Sequence, residues 1–456
     1  MTQPTREFAA VILAAGKGTR MNSARHKVLH PIGGRPMIEH LMTSLGELAP
    51  ARTIAVVGDL REQIEAQLGG RVTYAVQDRQ LGTGHAVLQA EPALRGFAND
   101  VLVLYGDVPF VRPATMRALL ERLHADDAPT AVVLGFEPAD PRRYGRIIAD
   151  GNGRIAKMVE HKDASEAERA CTLCNSGVLA ARAEELFTLL ARVGNANAQS
   201  EYYLPDIVNI AIGDGSTCAV VCTDNPDEVG GINSRAELAA AEAQWQAFKR
   251  EEAMAAGATL RAPETVFFSW DTKLGSDVVV EPQVVFGPGV TVGERCTIKA
   301  FSHLEGAKLA DDVEIGPFAR LRPGAVLASG VRVGNFVEIK NATMGAGVKA
   351  NHLTYLGDAN VGAGANIGAG TITCNYDGYF KHRTEIGPGA FIGSNSALIA
   401  PVRIGADAIV AAGSAVSCDV SDGELRMVRA EQLVKPGWAD RFHDAMKRKK
   451  AEAKKG

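Results

Sequence analysis

The sequence predicts an α/β chain in two parts, a helix-covered and mostly parallel sheet followed by a three-sided parallel solenoid. Three observations carry that reading. Short apolar runs alternate with amphipathic segments through the first half. An Ala-rich stretch after Ser234 has the composition of one long helix. Beyond it, from 280 to 416, an aliphatic or large apolar residue recurs at every sixth position.

In the first half, residues 11–15, 54–57, 72–76, 101–105 and 131–136 read as strands, and 37–48 and 115–123 as helices between them. Such alternation pairs strands in parallel, and ligands then gather beyond the strands' carboxyl ends. After the first run stands Gly16-Lys17-Gly18-Thr19-Arg20-Met21. Met21 occupies the place of a third glycine, so this is neither a Rossmann fingerprint nor a Walker A loop. Its backbone N–H groups, with Lys17, Arg20 and nearby Lys27, suit a polyphosphate. The fourth run ends in Tyr105-Gly106-Asp107, which puts a carboxylate suited to Mg²⁺ at the mouth of the sheet. Gln77 follows the third run, and Gln80-Leu81-Gly82-Thr83-Gly84-His85 opens a helix whose start can touch a flat base. Asp150-Gly151-Asn152-Gly153 is a hairpin signal, and Ser234-x-x-Glu237 a capping box.

A period of six belongs to neither a helix nor a lone strand. It suits a triangular coil in which each hexad is one short strand and the apolar residue points inward. The last run is Ile386, Ile392, Leu398, Ile404, Val410, Val416. Earlier runs hold Val280, Phe286, Val292, Ile298, Leu304 and then Leu309, Ile315, Leu321, Leu327, Val333, Ile339. Gly often follows the apolar residue, where it is expected to relax a corner. The phase slips near Ala307, Asn341 and Gly357, and residues 374–385 are expected to leave the coil as a loop.

At 456 residues the chain needs more than one core. A net charge of −4 argues against a general nucleic-acid binder. The apolar opening, 8–15, is too short to span a bilayer, and no secretory signal is visible, so the cytosol is expected. Seven scattered Cys suit reduced thiols, with Cys171 and Cys174 read as small buried hydrophobes in preference to zinc ligands. The basic run 447–450 reads as a solvated, poorly ordered end.

Leu-Ala-Ala-Gly-Lys-Gly-Thr-Arg-Met (13–21), His-Lys-Val-Leu (26–29), Gln-Leu-Gly-Thr-Gly-His (80–85) and Leu-Tyr-Gly-Asp-Val-Pro (104–109) resemble the sugar-phosphate nucleotidylyltransferases. With the hexads and Asn-His-Leu-Thr-Tyr-Leu-Gly-Asp (351–358) behind them, the whole chain resembles the bacterial bifunctional N-acetylglucosamine-1-phosphate uridylyltransferase/glucosamine-1-phosphate acetyltransferases. His26 departs from that family, which often has Pro before the lysine. The resemblance implies an α/β fold class: a Rossmann-like nucleotidylyltransferase domain at 1–232, a linker helix at 233–256, and at 257–456 a left-handed parallel β-helix of hexapeptide repeats with a C-terminal tail. It also implies a cytoplasmic homotrimer, neither nucleic-acid-binding nor integral to a membrane, that makes UDP-N-acetylglucosamine for cell-wall synthesis.

The same resemblance assigns site residues. Leu13, Ala14, Ala15, Gly16, Lys27, Gln77, Gly82, Thr83, Tyr105, Gly106, Asp107, Gly145, Glu160, Asn175 and Asn233 would hold UTP and the UDP-sugar, with Arg20 and Lys27 catalytic and Asp107 and Asn233 on Mg²⁺. In the solenoid, His352 would be the catalytic base and acetyl-CoA the co-substrate. Arg322, Lys340, Tyr355, Asn366 and Lys381 would take glucosamine 1-phosphate. Ala369, Asn375, Tyr376, Ser394, Ala412 and Arg429 would bind acetyl-CoA.

Overall fold

The structure, a computed structural model, describes residues 6–141 and 144–453. The chain divides into two compact units, Met1–Phe248 and Lys249–Gly456.

In the first unit the apolar runs become β1 (Phe8–Ala14), β2 (Arg52–Val57), β3 (Thr73–Val76), β4 (Asp100–Tyr105) and β5 (Ala131–Phe136). A hairpin, β6 (Arg146–Ala149) and β7 (Ile155–Val159), precedes β8 (Cys174–Arg182) and β9 (Cys218–Cys222). The sheet order is β9-β5-β8-β4-β1-β2-β3, with β6 and β7 attached to β8. β1 pairs in parallel with both β2 and β4, whereas β8 runs antiparallel between β4 and β5. Every residue of β1 is buried, because alternate side chains enter different cores: Phe8, Ala10, Ile12 and Ala14 one, Ala9, Val11 and Leu13 the other. A strand covered on both faces reads as an unbroken apolar run, the signal that marked it in the sequence. Among the covering helices are α1 (Met37–Gly46), α2 (Thr83–Leu88) and α3 (Pro113–Arg122), while α4 (Arg235–Ala255) joins a smaller cluster of Met21, Ile32, Met37 and Ile232 through Ala241. The hairpin turn closes as the sequence predicts, the Asp150 carboxylate accepting from Asn152 N at 2.9 Å and Arg154 N at 3.0 Å.

The second unit is a parallel solenoid in which the sixth-position residues form the axis, Val280, Ile298, Ile315, Val333 and Ile367 each 3 % exposed or less. Register shows the coil directly. Val280 pairs with Ile298, Ile298 with Ile315, Ile315 with Val333 and Val333 with Ala350, successive turns of 18 or 17 residues. Ile367 then pairs with Ile392, a step of 25, so the 374–385 insert leaves the axis undisturbed. Most of the glycines after the apolar positions serve a different purpose from the one expected. Gly334 and Gly387 do not have positive φ; instead a Cβ on Gly334 would overlap the Asn351 carbonyl of the next coil. Close approach of coils requires these two, whereas Gly316, at φ +89°, takes a backbone conformation that favours glycine. The basic end is solvated, as the sequence suggests, and is helical: it lies in α5 (Trp438–Glu452), a helix with no buried residue. Among the described residues, no helix is long and apolar enough to cross a membrane.

Candidate active sites

One cavity opens at the carboxyl ends of β1, β3 and β4, and a second lies beside it, past the end of β7. The smaller, about 280 Å³, is lined by Leu13, Ala14, Ala15, Gly16, Lys27, Gln77, Gly82, Thr83, Tyr105 and Asp107. The larger, about 600 Å³, is lined by Arg20, Tyr144, Glu160, His161, Lys162 and Asn233 among others. Lys27 joins them: its Nζ lies 2.5 Å from Asp107 Oδ2 and 2.9 Å from Asn233 Oδ1. Asn233 is fixed by the helix it precedes. Its N–H donates to Glu237 Oε2 at 2.8 Å, while Ser234 Oγ accepts from Glu237 N at 3.3 Å. The expected capping box is present, with the carboxylate reaching one residue further back.

The remaining predicted residues cluster there too. Gly106 N donates to Leu13 O at 3.0 Å, tying the end of β4 to that of β1. Asn175 N donates to Gly145 O at 2.9 Å, and Gly145 lies so near Glu160 that an added Cβ would stand 3.3 Å from Oε1. Burial, reinforced by the charges of Asp206, Asp163 and Glu201, pushes the Glu160 carboxyl above its ordinary range. Burial also lifts the Tyr105 phenol well above its ordinary range. Lys17 is drawn elsewhere, 3.3 Å from Asp59, and lines neither cavity. His26, 2 % exposed, caps the turn Lys27–Leu29 by accepting from Val28 N at 3.4 Å. Burial and the Lys27 charge lower its pKa to about 4.

In the solenoid, His352 and Asn335 stand in register on adjacent coils, and His352 Nδ1 is 2.7 Å from Asn335 Oδ1. An amide oxygen only accepts, so Nδ1 is the donor of this pair and Nε2 is the ring nitrogen left facing away from Asn335. On the fourteen-stranded sheet, Glu338 pairs with Tyr355 and Lys340 with Gly357, and Arg322 Nη1 donates to Glu338 at 2.9 Å. The Lys381 ammonium beside Lys340 holds the Lys340 pKa below the usual lysine range. Asn375 bonds Asp358, which also accepts from Asn341 at 2.5 Å. Tyr376 opens the ejected loop, and its hydroxyl donates to Gly378 O at 2.5 Å. Asn366 stands apart from this group, on the ten-stranded sheet between Lys349 and Phe391. Asn395 N donates to Ala369 O at 2.7 Å, Gly413 N to Ser394 O at 2.8 Å and Arg429 to Ala412 O at 3.0 Å. Small residues therefore follow one another from coil to coil, a narrow track rising from His352.

Residues 10–148 match the family described as MobA-like NTP transferase domain, and 271–306 and 383–418 match bacterial transferase hexapeptide (six repeats). Bifunctional protein GlmU of Sphingopyxis alaskensis is 71 % identical over 98 % of this chain and 99 % of its own length. That of Novosphingobium aromaticivorans is 74 % identical, again over 98 % and 99 %. The chain belongs to the GlmU family. The GlmU protein of Zymomonas mobilis, at 57 % identity over 97 % of this chain and 99 % of its own length, extends the match to a more distant relative.

Membership in the GlmU family makes this a two-domain transferase, with nucleotidyltransferase and hexapeptide-transferase parts. Several residues at its sites had no signal in the sequence. Asn335 is one, because only the 17-residue coil sets it against His352. Gln80, whose Nε2 donates to Ala15 O at 2.6 Å, lies in a recognised string but is not itself singled out. Of the two cysteines read as buried, Cys174 is buried and Cys171 only half-buried.

Proposed function

We propose that the chain makes UDP-N-acetylglucosamine in two steps: acetyl transfer to glucosamine 1-phosphate on the solenoid, then uridylyl transfer in the N-terminal unit. The observation that carries the second step is the Lys27 ammonium held between Asp107 and Asn233 where the two cavities adjoin. UTP fits the smaller cavity, with Gly16, Gln77, Gly82 and Thr83 along it. N-acetylglucosamine 1-phosphate fits the larger, where Glu160, Gly145 and Asn175 meet sugar and ribose hydroxyls. The nucleophile is a phosphate oxygen, already an anion, so no general base is needed. It attacks the α-phosphorus of UTP, and pyrophosphate leaves. The obstacle is bringing two anions together, which Arg20 and Lys27 oppose with positive charge.

Asp107 Oδ2 and Asn233 Oδ1 converge on one ammonium. Two oxygen donors aimed at one point suit Mg²⁺, which keeps water and phosphate oxygens around the rest of its shell. Bound there, Mg²⁺ supplies charge neutralisation to the triphosphate.

On the solenoid, the amine of glucosamine 1-phosphate attacks the thioester carbon of acetyl-CoA. His352 Nε2 takes the proton that the nitrogen sheds, Asn335 holds the ring in that tautomer, and coenzyme A leaves. Arg322, Lys340 and Lys381 are the cations for the sugar phosphate, beside Tyr355 and the Asn375–Tyr376 loop. Ala369, Ser394, Ala412 and Arg429 offer a small-residue track for the extended cofactor. The assembly we propose is a homotrimer, as expected of the hexapeptide family that the solenoid matches. The compartment we propose is the cytoplasm.

The test is a paired assay on the full-length protein. Glucosamine 1-phosphate with acetyl-CoA must release coenzyme A, and N-acetylglucosamine 1-phosphate with UTP must release pyrophosphate. Absence of either half-reaction in the folded protein overturns that half.

A further inference from the structure

Gln77 lines the smaller cavity and is 4 % exposed. Its Nε2 lies 3.1 Å from Gly82 O. A carbonyl only accepts, so chemistry settles which end of this amide is nitrogen. The same Nε2 faces His85 Nδ1 at 3.0 Å. Both amide hydrogens are thus engaged within the protein, and among the described residues nothing donates to Oε1. Nor does Gly82 N have an acceptor among them, although Gly82 O also accepts from Ala86 N at 3.1 Å. What the cavity offers a base is an acceptor, Gln77 Oε1, close to a donor, Gly82 N–H. Uracil presents the complement, N3–H beside a carbonyl. Cytosine presents the reverse, a bare N3 beside an amino group.

We infer that His85 is a positioning residue for base selection, holding the Gln77 amide with its oxygen towards the nucleotide. The inference deepens the uridylyl reading above and rests on it. Gly82 O alone pins the nitrogen but leaves the amide plane free to swing, and His85 Nδ1, as a second fixed point, sets the plane. The ring must be neutral to accept, and burial does keep the His85 pKa below its ordinary value. Its surroundings are rigid. Gln89 Nε2 donates to His85 O at 3.0 Å. The Tyr202 backbone clamps the loop, accepting from Gly84 N and donating to Leu81 O, both at 2.8 Å. Gly82, at φ +112°, has no room for a side chain against that backbone.

The experiment compares kcat/KM for UTP and CTP, with N-acetylglucosamine 1-phosphate, in the full-length enzyme. His85→Leu and His85→Asn have the same shape, but only Asn places an accepting oxygen where Nδ1 stood. The UTP preference should fall roughly tenfold or more in His85→Leu, as expected for a lost buried hydrogen bond, and survive in His85→Asn. His85→Ala gives the same loss by a second route should the Leu variant be insoluble. An unchanged ratio in folded His85→Leu or His85→Ala, or an equal fall in His85→Asn, overturns the role of His85. A wild-type enzyme that does not prefer UTP overturns the nucleotide-site reading instead.

Discussion

Lys27 Nζ and Asp107 Oδ2 are 2.5 Å apart, both largely buried, although 80 residues separate them. The ammonium lies where two oxygen donors converge, so Lys27 and a divalent cation compete for one place. Asp107→Asn removes the only formal negative charge of the donor pair and should cut uridylyl transfer roughly 10²-fold, leaving acetyl transfer intact. Lys27→Ala should cost turnover similarly, yet tighten Mg²⁺ binding by the free enzyme. Titration calorimetry with Mg²⁺ alone checks this; weaker binding than in the wild type would show that the ammonium does not occupy the cation's place.

His26 links the fold to pH. Its ordinary pKa is 6.5 and its folded value is about 4, depressed by burial and then by Lys27. A depressed folded pKa means that the unfolded chain binds the proton first. The stability this residue contributes is therefore whole above pH 6.5 and is lost as pH falls towards 4. His26→Asn keeps an oxygen to accept from Val28 N but cannot titrate. Urea midpoints of the N-terminal transition, followed from pH 7 to 4, should fall less steeply in His26→Asn than in the wild type. Parallel curves would count against it.

Glu160 has the opposite sign. Burial raises its folded pKa, so its ionised form costs stability that is recovered only as pH falls. Glu160→Gln should raise the melting temperature at pH 7, with the gain shrinking in acid. The same change removes a hydroxyl acceptor from the larger cavity, so KM for N-acetylglucosamine 1-phosphate should rise roughly tenfold or more. A lower melting temperature at pH 7 would mean that the carboxylate is held by partners stronger than its desolvation.

What could be read in advance follows from the distance over which each signal acts. The sixth-residue repeat is local, so the solenoid core from Val280 to Val416 was legible residue by residue. The runs that became β1 and β4 were legible because both faces are covered. The Lys27–Asn233 bond spans 206 residues and required the family resemblance as well as the pattern. Asn335 was invisible because its place depends on a coil of 17 residues where the repeat suggests 18. Gly334 and Gly387 were legible as glycines but not for their reason, since chain spacing does not reveal how closely the next coil passes.

That close passage makes Gly334 a test of the solenoid. A methyl group there meets the Asn351 carbonyl, so Gly334→Ala must push apart the two strands that hold Asn335 and His352. Overpacking of this kind typically costs about 1–3 kcal/mol. We expect a lower melting temperature for the solenoid and impaired acetyl transfer, with uridylyl transfer unchanged. A variant with wild-type stability would show that the coils can separate freely.

His352 and Asn335 then allow the base assignment to be separated from simple packing. Removing the imidazole in His352→Ala should reduce acetyl transfer by 10²-fold or more, within the roughly 10²–10⁴ range typical of general bases. Asn335→Ala leaves the imidazole in place but frees its tautomer and its tilt, so the loss should be smaller, roughly tenfold. Combining the two should cost no more than His352→Ala alone, because a positioning partner has nothing to position once the ring is gone. Additive losses in the double variant would mean that Asn335 acts on the substrate directly, and the 2.7 Å contact would then not be the way it works.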